Sequence, residues 1–263
     1  MFKKVLNLLK ILRKLSVSGA IDTIDNIKPV PGFLKFIIYL FSIGSAKKIY
    51  NQSKSSGEKL CDSLESMGPT FIKLGQFLAT RPDIIGEEIA KSLEKLQDKL
   101  PAFNTTESKR IIKNEIGEKF YSKIKTISEP IAAASIAQVH FAKIDIDGSE
   151  KDLAIKILRP DIQKIFNEEL DALNFLAYLV ENIFRKTKRL RLVEVIFLLK
   201  QITNMEMDLR FEAAAASELR ENTLNDRGIK VPKIYWNFTS KKILTLDRIE
   251  GVSIRDTLKI KSL

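Results

Sequence analysis

The feature that most constrains this chain is a lysine in the middle of a short apolar run. Residues 152–159 read DLAIKILR, and Lys156 stands between two isoleucines. An alternating segment, 139–146, precedes this run, and Asp147-Gly148 between them is a strong signal for a tight hairpin turn. An ammonium group in an apolar strand is costly to bury unless a carboxylate pairs with it. The sequence therefore predicts a β-hairpin whose lysine either faces solvent or has an acidic partner.

Composition narrows the class of protein. With 44% hydrophobic and 29% charged residues, the chain is typical of a globular protein. Its net charge of +11 favours anionic partners, namely phosphate ligands, acidic membrane surfaces or nucleic acid. Cys61 and His140 are the only residues of their kinds, which excludes a disulfide framework and histidine-rich metal sites. His140 is expected to be a structural residue with satisfied hydrogen bonds.

The chain divides by pattern into three zones, and the fold class predicted is α+β. Residues 1–52 are basic and apolar by turns, residues 53–125 have helical periodicity, and strand patterns begin after residue 126. The apolar stretch 33–43 is interrupted by Lys35 and falls short of the roughly 20 residues that a membrane-spanning helix needs. The predicted helices are 69–81, 87–96, one from Thr105 or Thr106 to Gly117, 162–184 and 192–225, and the predicted strands are 139–146, 153–158, 231–238 and 242–248.

The first zone begins with a basic amphipathic helix. Lys3, Asn7, Lys10 and Lys14 share one stripe, and apolar side chains occupy the rest of the surface. Such a helix suits the surface of an anionic bilayer. It could equally pack on the rest of the protein with its lysines in water, and the sequence does not choose between these alternatives.

Two further segments bear on Lys156. The loop Ala132-Ala133-Ala134-Ser135 consists of very small residues and lies before the hairpin, where it could cover a phosphate. Downstream, EMDLRFE contains Glu206, Asp208 and Glu212 in a stretch predicted to be helical. At about 100° per residue, Asp208 and Glu212 lie about 40° apart, so one of them could pair with Lys156. Taken alone, the three acids would be expected to lie in solvent.

The segment TFIKLGQF, residues 70–77, is a third unusual feature. Lys73 and Gln76 are three residues apart and share a helix face. Gly75 costs a helix about 1 kcal/mol relative to alanine. Its presence therefore predicts the close approach of another backbone.

Together these segments resemble the UbiB/ADCK atypical kinase-like proteins, a family associated with ubiquinone (coenzyme Q) biosynthesis. Five short motifs occur in the family's order, and the similarity runs from about Ser56 to the end of the chain. They are KLGQ at 73–76 for the KxGQ motif, AAAS at 132–135 for the Ala-rich loop, LAIK at 153–156 for the strand lysine, EMD at 206–208 for the ExD motif, and Glu212 for the glutamate of helix C.

The resemblance implies a protein-kinase-like small lobe, an antiparallel sheet with helix C, preceded by a helical extension. In such a lobe Lys156 would hold the α- and β-phosphates of ATP or ADP and form a buried ion pair with Glu212. Ala132, Ala133, Ala134 and Ser135 would cover the phosphates. Leu246 would be the gatekeeper, and Asp247 to Ile249 the hinge that contacts adenine through backbone groups.

The resemblance also implies a regulatory motif. Lys73, Gly75 and Gln76 would reach the nucleotide site from the helical extension, where the lysine and glutamine would meet Glu206 and Asp208. In the family this arrangement is thought to block the channel for protein substrates. The chain would therefore not act as an ordinary protein kinase.

Family members continue into a large lobe with an HxD-type catalytic loop, an asparagine metal ligand and a DFG-like aspartate. The 263 residues contain no DFG, and the single histidine precedes Lys156. The expectation is a truncated chain with the large lobe missing or supplied by a separate chain. It would have no catalytic residue and no metal site, would use Mg²⁺ only with a second lobe, and would be inactive alone.

Three functional hypotheses remain. The first is a nucleotide-binding half-site linked to ubiquinone biosynthesis. The second is a non-catalytic membrane-surface assembly module of lipid-quinone synthesis. Under either hypothesis the chain is expected to be cytoplasmic and peripheral at the inner face of the membrane, with ubiquinone-synthesis proteins as candidate partners. Nucleic-acid binding, which rests only on net charge and the basic stretch RKTKRLR at 185–191, is not expected. That stretch is more readily a solvated connector between helices.

Overall fold

The chain folds into two compact units, each assembled from separated stretches of sequence. The computed structural model describes residues 2–18, 54–96, 100–183, 185–252 and 257–262, together with Gly32, Phe36 and Ile254. Most of the predicted apolar segment 33–43 lies outside these residues. No helix within the described ranges is long and apolar enough to cross a membrane. The helical unit comprises Met1–Leu100, Ala134–Ile136 and Asp161–Met205, and the sheet unit comprises Pro101–Ala133, Ala137–Pro160 and Glu206–Leu263.

Local sequence sets the start of helix α2 (Ser56–Met67) and its boundary with helix α3 (Pro69–Ala79) in the helical unit. Glu58 N–H donates to Ser55 Oγ (3.2 Å) and Ser55 N–H donates to Glu58 Oε2 (3.0 Å), a capping box. Gly68, with φ of 104°, separates this helix from the next, which Pro69 opens as predicted. The helices are α1 (Phe2–Ser18), α2 (Ser56–Met67), α3 (Pro69–Ala79), α4 (Pro82–Ile85), α5 (Glu87–Leu93), α8 (Ile162–Ile183) and α9 (Leu192–Glu206), with a 3-10 turn at Arg185–Leu190.

The C-terminal half of α1 is packed within the helical unit. Ile11 and Leu12 are buried. The Lys14 ammonium donates to the Met67 carbonyl oxygen (3.0 Å) and pairs with Glu169 of α8 (2.5 Å). Of the two alternatives for this helix, packing on the protein therefore describes its second half, where the basic stripe supplies an ion pair.

Two glycines mark close packing of α2, α3 and α5. A Cβ on Gly75 would lie 2.3 Å from Leu96 Cδ1 and 2.8 Å from Leu64 Cδ1. The predicted approach of another backbone was therefore wrong, because the space is filled by leucine side chains. A Cβ on Gly57 would lie 2.4 Å from Ser92 Cβ, an atom fixed to its own backbone.

The mutation Gly57→Ala is expected to destabilise the protein by about 1–3 kcal/mol, because α2 and α5 would have to move apart. Gly75→Ala should cost less, since the leucine tips can rotate whereas Ser92 Cβ is fixed to its backbone. The gain in helix propensity from alanine, up to about 1 kcal/mol, applies to both positions because both glycines lie within helices. Urea denaturation of both variants gives the two free energies of unfolding. A Gly57→Ala protein at least as stable as Gly75→Ala would contradict this packing.

The sheet unit is built on the predicted hairpin. Strands β2 (Ala137–Ile146) and β3 (Ser149–Leu158) pair antiparallel, and Asp147 and Gly148 have φ of 52° and 81°, as a type I′ turn requires. Strands β1 (Ile124–Ala133) and β4 (Ile243–Asp247) flank the hairpin in the order β1-β2-β3-β4, all antiparallel. The predicted α+β class is confirmed. The four-stranded sheet with its helices is consistent with a kinase-like small lobe.

The two faces of β3 differ in chemistry. Leu153, Ile155 and Ile157 are buried on the core face, where they pack with Ile111 and Ile112 of helix α6 (Thr105–Ile116). The intervening residues point to the opposite side, the outer face of the sheet. Remaining elements of the sheet unit are α7 (Glu118–Tyr121), α10 (Leu209–Asn222), a 3-10 turn at Trp236–Phe238, and α11 (Thr257–Lys261).

The predicted helix 192–225 is interrupted, so that prediction was wrong. Asp208 has an extended backbone (φ −124°, ψ 94°), and its Oδ1 accepts the Arg210 N–H (3.1 Å) as the N-cap of α10. Short acidic side chains compete in this way with helix continuation. Asp208 and Glu212 therefore do not share one helix face, and the 40° argument does not hold.

Two other predicted boundaries were wrong. The N-cap of α6 is Asn104, whose Oδ1 accepts the Thr106 N–H (2.7 Å), and is not Thr105 or Thr106. The segment 231–238 is not a strand, since it makes one isolated bridge, Ile234 to Leu246, and then turns. Gly117, with φ of 79°, does end α6 as predicted.

Candidate functional site

Lys156 is held by an ion pair on the outer face of the sheet. Its Nζ donates to both carboxylate oxygens of Glu212, at 2.9 and 2.7 Å. The predicted contact is confirmed, but the prediction that it is buried was wrong, because the two side chains are 28% and 49% exposed. Helix α10 packs through Leu209 and Ala213, which are almost completely buried, and this leaves Glu212 at the solvent edge.

Cross-strand rows define the surroundings of Lys156. One row crosses all four strands, pairing Ala132 with Val139, Val139 with Lys156, and Lys156 with Leu244. Direct cross-strand partners share a face of the sheet. The neighbouring row on the same face consists of Phe141, Ala154 and Leu246.

The outer face therefore places an ammonium group beside an apolar floor. Residues two apart on a strand are separated by about 7 Å. Val139, Ala154 and Leu246 are therefore close enough to Lys156 for an aromatic base to lie on them while its phosphates reach the ammonium group. The sequence analysis named Leu246 but did not identify Val139 and Ala154 as residues of this floor. Their alternation with core residues along each strand could have indicated it.

The predicted hinge is tied into the sheet unit by Asp247. Its carboxylate accepts the Tyr235 hydroxyl (2.8 Å) and the Lys233 N–H (3.0 Å), and its own N–H donates to the Lys233 oxygen (3.0 Å). The side chain and N–H of Asp247 are thus engaged inside the protein, while Ile249 is exposed. Contact of this segment with adenine remains a prediction.

Alkaline pH is expected to destabilise the protein through Tyr235. Burial, reinforced by the hydrogen bond to Asp247, raises the pKa of Tyr235 to about 12, whereas tyrosine in an unfolded chain ionises near pH 10. Because the unfolded chain loses this proton first, the free energy of unfolding should fall between about pH 10 and pH 12. Denaturation at pH 9 and pH 11 measures the loss, which should be smaller in Tyr235→Phe. An equal loss in both proteins would contradict this role of Tyr235.

The other predicted site residues lie as follows. Glu206 is the last residue of α9, and hydrogen bonds from Arg210 lower the pKa of Asp208. Ala132 and Ala133 end β1 in the sheet unit, whereas Ala134 and the fully buried Ser135 belong to the helical unit. Lys73, Gly75 and Gln76 lie on α3, also in the helical unit. The predicted meeting of the KxGQ and ExD residues remains a prediction.

In the described part of the chain, no cluster of three or more histidine, cysteine, aspartate or glutamate residues is arranged to hold a metal ion. Use of Mg²⁺ with a second lobe remains a prediction.

Comparison with known proteins gives a consistent result. Residues 95–263 match the ABC1 atypical kinase-like domain. Proteins named "Probable protein kinase UbiB" are similar to the chain. That of Marinobacter nauticus is 35% identical over 238 residues, 90% of this chain and 42% of that protein. That of Cellvibrio japonicus is 37% identical over 211 residues, 80% of this chain and 38% of that protein.

The chain spans about two-fifths of the length of these relatives. The family domain covers well over half of the chain, and Lys156 and Glu212, which the resemblance assigned as the strand lysine and the helix glutamate, form an ion pair in the structure. The resemblance predicted from five motifs is therefore confirmed, and the chain belongs to the ABC1 atypical kinase-like family, among proteins of the UbiB type.

Proposed function

We propose that the sheet unit binds ATP or ADP on its outer face, as the nucleotide-binding part of a UbiB-type protein linked to ubiquinone biosynthesis. The observation that carries this proposal is the Lys156–Glu212 pair, which fixes an accessible ammonium beside an apolar floor. Membership of an atypical kinase-like family supports the same ligand class.

Each part of the outer face has a role in this proposal. An ammonium group has three N–H donors, and Glu212 takes two, so Lys156 keeps one for a phosphate oxygen. Ala132 ends the same row and Ala133 follows it at the end of β1, where small side chains let the backbone approach the phosphates. Leu246 borders the base as gatekeeper. The remaining predicted roles, those of Ala134, Ser135 and the KxGQ and ExD residues, are part of this proposal.

Titration calorimetry of the purified chain with ADP and with ATP tests the proposal. We expect binding that is weak and nearly independent of Mg²⁺, because metal-binding carboxylates would come only with a second lobe. We also expect no ATP turnover by this chain alone. Absence of binding at millimolar nucleotide would refute the proposal. So would robust hydrolysis that survives Lys156→Ala.

A second candidate function is docking on an anionic bilayer, and helix α9 favours it. One stripe of α9 exposes Phe197, Leu198, Ile202 and Met205 to solvent. The basic turn Arg185–Leu190 immediately precedes this helix. An exposed apolar stripe next to a cationic segment suits the interface of a negatively charged membrane. The helical unit would thereby supply the peripheral membrane contact first assigned to α1.

Vesicle flotation tests this second function. The chain should float with phosphatidylglycerol vesicles at low salt, float less at high salt, and not float with phosphatidylcholine alone. The double variant Phe197→Ser with Met205→Ser should reduce flotation. The matched α1 variant Leu6→Ser with Leu9→Ser, also at exposed positions, should have less effect. A larger loss of flotation in the α1 variant than in the α9 variant would assign the membrane contact to α1. Absence of flotation by the wild-type protein would exclude this function.

A further inference from the structure

We propose that His140 is a positioning residue for the nucleotide, because it anchors β1 at an irregularity just before Ala132 and Ala133. This inference rests on the proposed nucleotide-binding function. It assigns a purpose to the single histidine, which the sequence presented only as a structural residue. His140 is completely buried on the core face of β2, beside Gln138 and beneath Ser108 of α6, which are also buried.

The hydrogen bonds of His140 fix its tautomer. Nδ1 lies 2.7 Å from the Ser128 carbonyl oxygen, which can only accept, so Nδ1 carries the proton. Nε2 is then an acceptor, and it lies 3.0 Å from Ser108 Oγ and 2.9 Å from Gln138 Nε2. Gln138 is itself oriented, since its Oε1 accepts the Phe103 N–H (2.9 Å). The neutral imidazole thus joins β1, β2 and α6 through three directed contacts.

Strand β1 needs this anchor because its ladder is irregular. Ile127 pairs with Ala142 and Pro130 with His140, so three steps along β1 match two along β2. This is a bulge, which disrupts ladder hydrogen bonds, and Pro130 has no N–H to donate. Two side-chain bonds act at this point. Phe141 N–H donates to Ser128 Oγ (2.9 Å), and His140 donates to the Ser128 oxygen.

The anchored row is next to the site row. Pro130, His140, Ile155 and Thr245 are cross-strand partners. A second register shift, between Pro130 and Ala132, places Ala132 in the adjacent row with Lys156, on the opposite face. Successive residues of a strand point to opposite faces, so a slip of one residue would turn Ala132 away from Lys156. We therefore expect the buried His140–Ser128 contact on the core face to fix the register of Ala132 and Ala133 and their position relative to Lys156.

The anchor should weaken in acid. Charged groups near His140 are Glu129 of β1 and Lys109 of α6, while β3 presents the apolar Ile155. Burial lowers the pKa of His140 below its ordinary value. Protonation would turn Nε2 into a donor facing the Gln138 amide N–H, which is also a donor, and the Ser108 hydroxyl would have to reorient to accept from it. Stability is complete above about pH 6.5, where the unfolded histidine is neutral, and is lost as pH falls from there toward the lower pKa of the folded state.

Hydrogen exchange and ADP titration of three variants test the inference. His140→Leu removes the anchor, and His140→Asn keeps an N–H donor near the position of Nδ1. Ile144→Val is a control on the core face of the same strand. In His140→Leu we expect exchange of the amides of 126–133 to rise at least tenfold, more than elsewhere in the sheet, and the Kd for ADP to rise several-fold. His140→Asn should restore part of the exchange protection and part of the ADP affinity. Ile144→Val should neither accelerate exchange selectively in 126–133 nor weaken ADP binding.

The outcomes are distinguishable. Uniform acceleration of exchange across the sheet, with an ADP affinity no lower than that of Ile144→Val, would show a merely structural role and overturn the inference. If His140→Leu does not fold, the pH dependence of hydrogen exchange in the wild-type protein tests the inference instead. Exchange of 126–133, corrected for its intrinsic pH dependence, should then rise between pH 7.5 and 5.5, and this rise should be absent in His140→Asn. If the wild type binds no ADP, the proposed function fails, while the exchange data still show whether His140 holds β1.

Discussion

Replacement of Lys156 with methionine is expected to weaken ADP binding at least tenfold and to leave the fold intact. Hydrogen bonds that involve a charged group contribute about 1.5–3 kcal/mol, and each 1.4 kcal/mol corresponds to about tenfold in affinity. Stability should change by no more than about 1 kcal/mol, because the ion pair with Glu212 is substantially exposed. Calorimetric titration with ADP and a thermal melt of the same sample measure both quantities.

The hairpin offers a matched control for this variant. Lys143 pairs with Glu150 across β2 and β3 at 2.8 Å, and both side chains are about half exposed. Lys143→Met makes the same substitution in a lysine–glutamate pair of similar length at the far end of the same sheet and should leave ADP affinity unchanged. Equal weakening in the two variants would indicate a general effect of net charge. If Lys156→Met bound ADP with wild-type affinity, Lys156 would not be part of the nucleotide-binding site.

The predictable parts of the fold were those determined by local sequence. The hairpin follows from Asp147-Gly148 between alternating strands, and the end of α6 follows from Gly117. Errors occurred where distant contacts decide the backbone. The helix break at Asp208 is accompanied by a hydrogen bond from Leu209 N–H to the Lys241 oxygen (2.9 Å), 32 residues away in sequence, and no periodicity in 192–225 shows this contact.

The candidate site was predictable in composition and less so in geometry. Lys156 and Glu212 are 56 residues apart in sequence. The residue pattern offered Glu212 as one of two acidic partners, and the resemblance to a family singled it out. Their exposure depends on how α10 sits on the sheet, which Leu209 and Ala213 determine through packing. The role of His140 could not be inferred from the sequence, because the β1 bulge that it anchors appears only in the strand register.

The mutation Ile155→Ala is expected to destabilise the protein by about 2–5 kcal/mol. Ile155 is 1% exposed at the centre of the core cluster, between Leu153 and Ile157 on β3. Truncation would leave a cavity in a rigid sheet that is held on both sides by paired strands. Since small domains have about 5–15 kcal/mol of stability in total, urea denaturation should show a large shift of the midpoint.

Ile155→Val supplies the control, with an expected cost of about 0.5–1.5 kcal/mol from the loss of one methylene group. Ile155 and Lys156 are neighbours on one strand and face opposite sides, so their variants should separate two properties. Ile155→Ala should lose stability while any folded fraction retains its affinity for ADP, and Lys156→Met should lose affinity while it retains stability. If Ile155→Ala were as stable as Ile155→Val, the core face would not be packed as described. The outer face would then lack the rigid support on which a fixed ammonium group depends.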